Sequence, residues 1–477
     1  MIRDGLLAGF ARVDITPDKG VPMAGYTFLR RAEGVRDPLE LNALAVSDGA
    51  HTAVLLAADV LDLQDNDYAR ELRRRIVAAA GIPFEAVYVH CTHTHLSPAL
   101  GKADPHGETS FDGDPAYSET FIEKACAAAK AAVADLAPAT LAVGRAEARR
   151  ISFIRRFRMK DGSIRTNPGV GNPDIAAPVG EVDESVQVVR FRREGKDEIV
   201  AVNFGTHPDT IGGSSISADW PGMARRQLEK AIDGVSCIVF NGALGDVNHV
   251  CVDPRPGERE GLARDFDDVD RGYEHARHMG RVIAGAVLSV YGKCAPVAAG
   301  EVAFAASEVT VPSQRPKPEE LPLARRYAAL HAAGKDGDIP FKGMELTTVV
   351  AEAGRMLRLE NGPDAFTMPV SFVRIGDAVS FVGIPGEPFT EIGRRIKASS
   401  PTQVTFVTCI TGGYYGYFPT ADAYSEGGYE ARSSIFGPTV ADDLVAAARN
   451  LQLRRDGIML PEASEKELAH AESPVRP

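Results

Sequence analysis

The pattern of apolar and polar positions divides the chain into two kinds of segment that alternate along its length. Short apolar runs rich in β-branched residues predict strands at 41–46, 53–56, 86–89, 199–204, 237–240, 379–382 and 404–408. Apolar residues with helical spacing predict helices at 66–80, 118–136, 223–232, 275–291, 318–333, 346–359, 389–398 and 439–451. The alternation predicts a mixed α/β (α+β) fold in which helices flank central β-sheets.

Three further stretches interrupt this pattern. Residues 252–271 are acidic and contain Pro and Gly, which predicts a surface insertion. Residues 311–345 predict a helical insertion that precedes the Pro-Gly-Glu turn at 387, so we expect it to form a lid or rim of a pocket there. Residues 457–477 are charged and bounded by Pro, and we expect a disordered tail. The remainder, 1–456, is expected to form a single domain.

Composition and charge narrow the class of partner. The 477 residues carry a formal net charge of -12, which argues against a nucleic-acid partner because phosphate binding needs a basic face. The start of the chain lacks a basic segment followed by an apolar one, and no apolar run approaches the roughly 20 residues of a membrane span. We therefore expect a soluble, cytoplasmic protein that acts on a small molecule. The sequence leaves open whether it forms a homo-oligomer.

Two histidines that follow one apolar run give the strongest chemical signal. His93 and His95 are two residues apart, and in extended backbone such residues point to the same side. Ligands bind at strand ends in open α/β sheets, so both rings can face one cleft. The alternative is that they form hydrogen bonds in a polar loop.

Two more strand ends carry candidate ligands. His207 follows a β-rich run and precedes Pro208, which ends the strand. Glu387 follows a strand and a Pro-Gly turn, and its alternative role is that of an acid at a helix N-terminus. Two histidines and a glutamate match the three protein ligands that catalytic zinc commonly has. A Tyr-rich loop at 414–430 and a Gly-containing loop at 240–249 are further candidates for pocket walls.

Taken in order, short motifs over residues 9–450 resemble the catalytic domain of the neutral (alkaline, non-lysosomal) ceramidase family. The motifs are Ala11-Arg12-Val13-Asp14-Ile15-Thr16-Pro17, Met23-Ala24-Gly25-Tyr26, Thr92-His93-Thr94-His95, Gly205-Thr206-His207-Pro208, Leu244-Gly245-Asp246-Val247, Pro385-Gly386-Glu387 and Ala423-Tyr424 with Tyr429-Glu430. The resemblance implies one Zn²⁺ per chain, bound by His93, His207, Glu387 and Tyr424. It also implies that His95 contacts the scissile bond, that Arg155 contacts the substrate head, and that Gly25 and Thr27 touch the same head group.

Some positions depart from the ceramidase pattern. Asn248, before His249, stands where ceramidases have Ser-Pro, and Phe436 stands where they have a Tyr that contacts the head group. We expect both residues at the substrate site. The chain ends before the position of an immunoglobulin-like domain, and Ile154 stands where relatives often have Asn. These departures indicate a smaller, more polar, soluble substrate.

The expected function is therefore zinc-dependent hydrolysis of an amide or ester by metal-activated water, with His95, Tyr424 and Arg155 as catalytic residues. One alternative is a zinc or manganese lactonase, lyase or epimerase acting on a sugar acid or a related polar metabolite, since fold does not fix reaction. Another is an inactive metal-containing binding protein.

Overall fold

The computed structural model describes residues 5–103 and 111–454, and its largest sheet has nine strands. They are β1 (Leu7–Asp14), β2 (Glu40–Ser47), β3 (Thr52–Ala58), β4 (Val87–Cys91), β5 (Ala137–Glu147), β6 (Ser185–Arg193), β7 (Glu198–Phe204), β8 (Val235–Asn241) and β9 (Ala295–Val297). The order across the sheet is β8-β7-β6-β5-β1-β2-β3-β4, with β9 paired to β5. Two pairs are parallel, β3 with β4 and β7 with β8, and the remaining pairs are antiparallel.

A second sheet of four strands follows in the chain. Its strands are β10 (Val302–Pro312), β11 (Ala365–Ile375), β12 (Val379–Gly383) and β13 (Val404–Thr408). They lie in the order β10-β11-β12-β13, and β12 and β13 are parallel. Both sheets are therefore mixed, and the predicted α+β fold with central sheets is confirmed.

Ten α-helices are present in the described part of the chain. They are α1 (Asn66–Ala80), α2 (Pro115–Ala134), α3 (Asp219–Ala231), α4 (Tyr273–Tyr291), α5 (Leu321–Ala332), α6 (Gly343–Glu360), α7 (Thr390–Ser399), α8 (Ala421–Glu426), α9 (Tyr429–Ser433) and α10 (Val440–Leu453). The residues that flank α1 explain where this helix begins and ends. Asp65 accepts a hydrogen bond from the Asp67 amide at the N-terminus, and Gly81 adopts a left-handed φ of 67° after the last turn.

The second sheet is tied to two edges of the first. The Cys91 amide at the end of β4 donates to the Ile410 carbonyl at 3.0 Å, and the Cys409 amide donates to the Asn241 carbonyl at the end of β8 at 3.1 Å. Because Cys409 and Ile410 directly follow β13, the carboxyl ends of β4, β8 and β13 meet at one place. The candidate ligands all follow strands of these parallel pairs.

Two further predictions concern the insertion at 311–345 and the tail at 457–477. Residues 311–345, predicted as a helical insertion, contain the end of β10, all of α5 and the start of α6, which continues to Glu360. The tail predicted at 457–477 lies outside the described residues. Within the ranges described, no helix combines the length and the apolar character needed to cross a bilayer.

Candidate metal centre and substrate pocket

His93 lies in a tight loop just after β4. Its backbone has a φ of 72°, which is left-handed and costly for a residue with a side chain. The histidine pair is therefore not in extended backbone, and the reason predicted for its common orientation was wrong. The rings of His93 and His95 nevertheless lie together, with centroids 5.1 Å apart, because the loop turns both toward the pocket.

The His93 ring is oriented by the backbone. Its Nδ1 lies 3.0 Å from the Leu61 carbonyl, which fixes Nδ1 as the protonated nitrogen and leaves Nε2 as an acceptor. The Nε2 atom is buried and has no hydrogen-bond partner in the described structure. This is the arrangement that metal-binding histidines commonly show.

His207 repeats the arrangement after β7. Its Nδ1 lies 3.1 Å from the Leu244 carbonyl, in the Gly-containing loop that follows β8. The loops can approach so closely because Gly205 lacks a side chain: a Cβ there would lie 2.5 Å from the Ala243 carbonyl oxygen. Burial and, secondarily, the charge of Arg155 lower the pKa of His207, so its ring is neutral, as a metal ligand must be.

One asparagine holds both histidine loops. Asn241, the last residue of β8, donates through Nδ2 to the Thr92 carbonyl at 2.9 Å and to the Thr206 carbonyl at 3.2 Å. Each carbonyl immediately precedes a candidate ligand. A single buried amide therefore fixes the relative position of His93 and His207.

Glu387 points at the two histidines and not at a helix. Its Oε2 lies 3.5 Å from His93 Nε2 and 3.4 Å from His207 Nε2, while Tyr414 donates to its Oε1 at 2.8 Å. The acid that interacts with the N-terminus of α7 is instead Asp246, which accepts a hydrogen bond from the Thr390 amide at 2.7 Å. The helix-dipole alternative for Glu387 is thus disfavoured by the geometry.

These atoms fit a metal ion. His93 Nε2 and Glu387 Oε2 are buried and have no hydrogen-bond partner in the described structure, because the 3.5 Å between them is too long for a good hydrogen bond. Ligand atoms of His93, His95 and His207 all lie within 4.8 Å of one another. Leaving buried polar groups unpaired is costly, and a shared cation between them would remove that cost. The donor set of imidazoles and one carboxylate suits zinc and several other divalent transition metals.

His95 faces the same pocket but has different neighbours. Neither of its ring nitrogens has a hydrogen-bond partner in the described structure, and Nδ1 lies 3.8 Å from Asp209 Oδ1. Burial lowers the pKa of His95 to about 3, so the ring is neutral near pH 7. It is free to form a hydrogen bond with a substrate group.

Arg155 is held rigidly in the pocket wall. Its Nε donates to Glu430 Oε1 at 2.7 Å, and its Nη2 donates to the Gly245 carbonyl at 2.8 Å and to the Tyr417 hydroxyl at 3.1 Å. The residue is 7% exposed. A guanidinium fixed at this depth presents a positive charge to the pocket at little further entropic cost.

Most residues predicted to bind substrate lie around one pocket of about 90 Å³. Its walls include Gly25, Thr27, His95, Arg155, His207 and Asn248. Gly25 has a φ of 110°, and a Cβ there would lie 2.9 Å from the His95 carbonyl oxygen. Asn248 donates from Nδ2 to Asn167 Oδ1 at 2.9 Å, so its amide is oriented by a neighbour in the same wall.

Two predicted site residues lie elsewhere. The Tyr424 hydroxyl is 3.3 Å from Ser434 Oγ and its ring packs against the core of the second sheet, and no contact joins it to the candidate ligands in the described structure. The tyrosine that reaches Glu387 is Tyr414. Phe436 is fully buried, with its ring 5.3 Å from that of Phe418 and 5.8 Å from that of Phe366. It is a core residue, because an aromatic ring without a polar group packs best among other apolar side chains.

Sequence reasoning missed a charged network in the pocket wall. Asp209 accepts from the Tyr26 hydroxyl at 2.6 Å and pairs with Arg271 at 2.6 Å, and Asp267 also binds Arg271, at 2.6 Å. All four residues line the pocket. Asp209 follows His207-Pro208 closely, which was a usable signal. Arg271 lies in the acidic stretch at 252–271, and its charge there resembles that of any solvated surface.

Comparisons with known proteins bear on the family resemblance and the fold. No family model matches the chain. It is 24% identical over 458 residues to the neutral ceramidase of Mycobacterium tuberculosis, a match that covers 86% of this chain and 70% of that protein. The crystal structure of neutral ceramidase from Pseudomonas aeruginosa superposes with a TM-score of 0.69 at 18% identity, covering 96% of this chain and 76% of that chain. A ceramidase complexed with C2 also has a TM-score of 0.69, at 19% identity, covering 96% of this chain and 77% of that one. The predicted resemblance is confirmed: the chain is a homologue of neutral ceramidase and has the fold of its catalytic domain.

Proposed function

We propose that the protein is a zinc-dependent hydrolase that cleaves an amide bond of a small soluble substrate. The observation that carries the proposal is the convergence of His93 Nε2, His207 Nε2 and Glu387 Oε2 beside a pocket whose walls include His95 and His207. The homologues are named ceramidases, and that name supports amide hydrolysis as the reaction class.

Zinc is the metal that best suits the site. Two neutral imidazoles and one carboxylate form a common ligand set of catalytic zinc, with a position left for water. When bound, zinc lowers the pKa of a coordinated water to about 7 and polarises a carbonyl group.

The residues of the chain supply the rest of the chemistry. Tyr414 holds Glu387 by its hydrogen bond to Oε1, which keeps the other oxygen directed at the histidines. Arg155 presents its guanidinium to the polar part of the substrate or to developing negative charge on its carbonyl oxygen. His95 is neutral, so its ring can form a hydrogen bond with the substrate. Its low pKa makes it a weak base, and Asp209, 3.8 Å from Nδ1, favours the protonated form.

The pocket favours a small, polar substrate group. It encloses about 90 Å³ and is lined by charged and amide side chains, among them Arg155, Asn167, Asp209 and Asn248. Such walls match hydroxyl, amide or carboxylate groups better than a long hydrocarbon chain. This is why we propose a soluble substrate.

Metal analysis combined with turnover tests the proposal. Purified wild type should contain about one zinc per chain and hydrolyse members of a panel of soluble amides, and His207→Ala should lose both properties. His95→Ala should retain the metal but have a lower kcat. His51→Ala is a matched control, since His51 pairs with Asp48 outside the pocket.

The negative outcomes are distinct. Wild type that binds no divalent metal, when purified and assayed without chelators, would contradict the metal assignment. Zinc in the wild type without turnover of any amide would contradict the reaction class. Loss of zinc in His95→Ala would show that His95 belongs to the ligand set and would contradict the role given to it here.

A further inference from the structure

Three aromatic rings form a cluster at the mouth of the substrate pocket. Tyr26 and Phe266 line the pocket, and the Phe28 ring lies nearly parallel to that of Tyr26, with centroids 5.7 Å apart and 16° between the planes. The Phe266 ring packs edge-on against both, with its centroid 4.8 Å from that of Tyr26 and 5.0 Å from that of Phe28. Because each ring contacts the other two, the cluster is preorganised for an aromatic partner.

The outer side of the cluster is open to solvent. Phe28 is 42% exposed and Phe266 is 53% exposed. Phe266 lies in the turn of a short hairpin, residues 263–271, whose turn is otherwise rich in Asp. Contact of apolar rings with water is unfavourable, and exposed apolar groups beside a polar pocket often mark a binding site. An apolar ligand surface that covered these rings would remove that cost.

A row of rings leads from this cluster to the candidate metal ligands. The centroid of the Tyr26 ring lies 5.5 Å from that of His95. The His95 ring in turn lies 5.1 Å from the His93 ring and 5.4 Å from the His207 ring. Tyr26 therefore links the exposed rings to the residue that stands beside the ligands. A molecule bound over the cluster would have its near end beside His95.

The charged neighbours of the cluster favour an uncharged ligand. The Tyr26 hydroxyl donates to Asp209 at 2.6 Å, and the guanidinium carbon of Arg30 lies 4.1 Å from the centroid of the Tyr26 ring. That of Arg271 lies 5.4 Å from the Tyr26 centroid and 5.6 Å from the Phe266 centroid. The two rings thus already make cation–π contacts with guanidinium groups of the protein. A positively charged substrate group would compete with these groups.

The pocket itself is too small to enclose a whole substrate. It holds about 90 Å³, whereas pockets for small molecules commonly have about 300 Å³ or more. Its polar walls suit a polar group next to the scissile bond. The remainder of the substrate must then lie at the mouth, where the exposed rings are.

We infer that the cluster of Tyr26, Phe28 and Phe266 is a substrate subsite for an uncharged aromatic ring. The inference rests on the proposed hydrolase function. An aromatic ring suits the cluster better than an aliphatic group of equal size, because edge-to-face and offset-stacked pairs are favoured beyond the area that they bury. The substrate class is thus an amide with an aryl group on one side of the scissile bond and a small polar group on the other.

Matched pairs of amides test the subsite. Within a pair, an acetamide carries on its nitrogen either a phenyl or a cyclohexyl ring, joined through a methylene or an ethylene link so that the reactivity of the amide is the same. A second set places the same linked rings on the acyl side. In at least one set, wild type should favour the phenyl compound by about 3- to 10-fold in kcat/KM, since both rings bury a similar apolar area.

Variants assign the preference to the cluster. Phe266→Leu and Phe28→Leu retain an apolar side chain but remove the ring, so the ratio of the phenyl to the cyclohexyl kcat/KM should fall to about one. Both residues are about half exposed, and leucine should be tolerated at either position. Phe266→Tyr should retain the preference. Phe10→Leu is the matched control and should also retain it, because Phe10 lies in the middle of β1 and packs against the core of the large sheet.

Failure of the subsite and failure of the hydrolase proposal are distinguishable. Equal kcat/KM for the two rings in every pair, or a preference that survives in both leucine variants, would overturn the subsite alone. Turnover of none of the amides would contradict the hydrolase proposal, and saturation-transfer NMR with N-benzylacetamide and its cyclohexyl counterpart would then decide the question of the subsite. A stronger signal from the phenyl compound that is lost in Phe266→Leu supports the subsite, and equal or absent signals in both proteins overturn it.

A second copy of the chain is the other occupant that the exposed rings could accept. Size-exclusion chromatography of the wild type and Phe266→Leu detects it. A wild-type dimer that becomes monomeric in Phe266→Leu would show that the rings are covered by the second copy and would overturn the inference. The same oligomeric state in both proteins, together with the phenyl preference, supports it.

Discussion

At the residue scale, the candidate ligands were predictable because each follows a strand with a distinct local signal. His93, His207 and Glu387 are short-range features, in which an apolar run is followed by a polar residue in a tight turn. The tyrosine that contacts Glu387 could not be predicted in this way. The loop at 414–430 contains five tyrosines, and which of them reaches Glu387 depends on how two separate parts of the chain pack.

Phe436 is a second residue whose side-chain position the sequence did not predict. Its position in the motif order suggested a substrate contact, but its side chain lies in the core of the second sheet. A motif gives the position of a residue along the chain, whereas the direction of its side chain depends on packing between α10 and the strands. Asn241 belongs to the Gly-containing loop that the sequence indicated as a pocket wall. Its two hydrogen bonds to the histidine loops could not be predicted, because they depend on the tertiary structure.

Replacing Tyr414 tests the assignment of the tyrosine. Tyr414→Phe removes the hydroxyl that donates to Glu387 Oε1, so the carboxylate should be held less firmly. Partners of this kind typically account for about 10- to 100-fold in metal affinity or activity. We expect a loss of metal affinity in that range, measured by competition with a chromogenic chelator.

Tyr424→Phe is the matched control, because it removes a hydroxyl from the same loop region without touching Glu387. It should retain the metal affinity of the wild type. A loss of affinity in Tyr424→Phe with normal affinity in Tyr414→Phe would support the ligand that the family resemblance implied and would contradict the geometry described here.

At the element scale, the strands and helices with strong periodicity were predicted and are present. Three of the strands that escaped prediction have weak patterns. β5 contains several Ala residues and a Gly, and β10 and β11 are long edge and central strands with frequent polar positions. Their strand conformation comes from pairing with distant segments, which local propensity does not encode.

The helix α4 carries a buried histidine with a clear pH effect. Burial, together with the neighbouring His249 and His278, lowers the pKa of His275 to about 3. As pH falls below the unfolded value of about 6.5, the unfolded chain binds a proton that the folded protein does not, so the folded state loses stability. Between pH 6.5 and pH 5 this difference amounts to roughly 2 kcal/mol.

We therefore expect His275→Met to lose less stability than the wild type when pH is lowered from 7 to 5, by roughly 2 kcal/mol. Urea unfolding at both pH values measures the difference, and any constant effect of the substitution cancels. His278→Gln removes an exposed imidazole from the same helix and should leave the pH dependence close to that of the wild type. Parallel profiles for wild type and His275→Met would show that His275 does not cause the acid sensitivity.

At the scale of the whole molecule, the candidate ligands join the two sheets. His93 and His207 follow strands of the nine-stranded sheet, and Glu387 follows a strand of the four-stranded sheet. Backbone hydrogen bonds already connect the sheets at the ends of β4, β8 and β13. A bound metal would add a further link at the same place, across nearly 300 residues of sequence. Metal binding should therefore stabilise the folded state and not only complete the pocket.

Removal of the metal tests this link. A ligand that binds only the folded state at 100 times its Kd stabilises the protein by about 2.7 kcal/mol, so EDTA should lower the Tm of the wild type, and added zinc should restore it. His207→Ala should have a lower Tm from the start and should not respond to EDTA, because its metal site is incomplete. His51→Ala, outside the pocket, should respond as the wild type does. A wild-type Tm that is the same with EDTA and with zinc would mean that the three ligands do not bind a metal that joins the sheets, and the unpartnered atoms of His93 and Glu387 would then need another explanation.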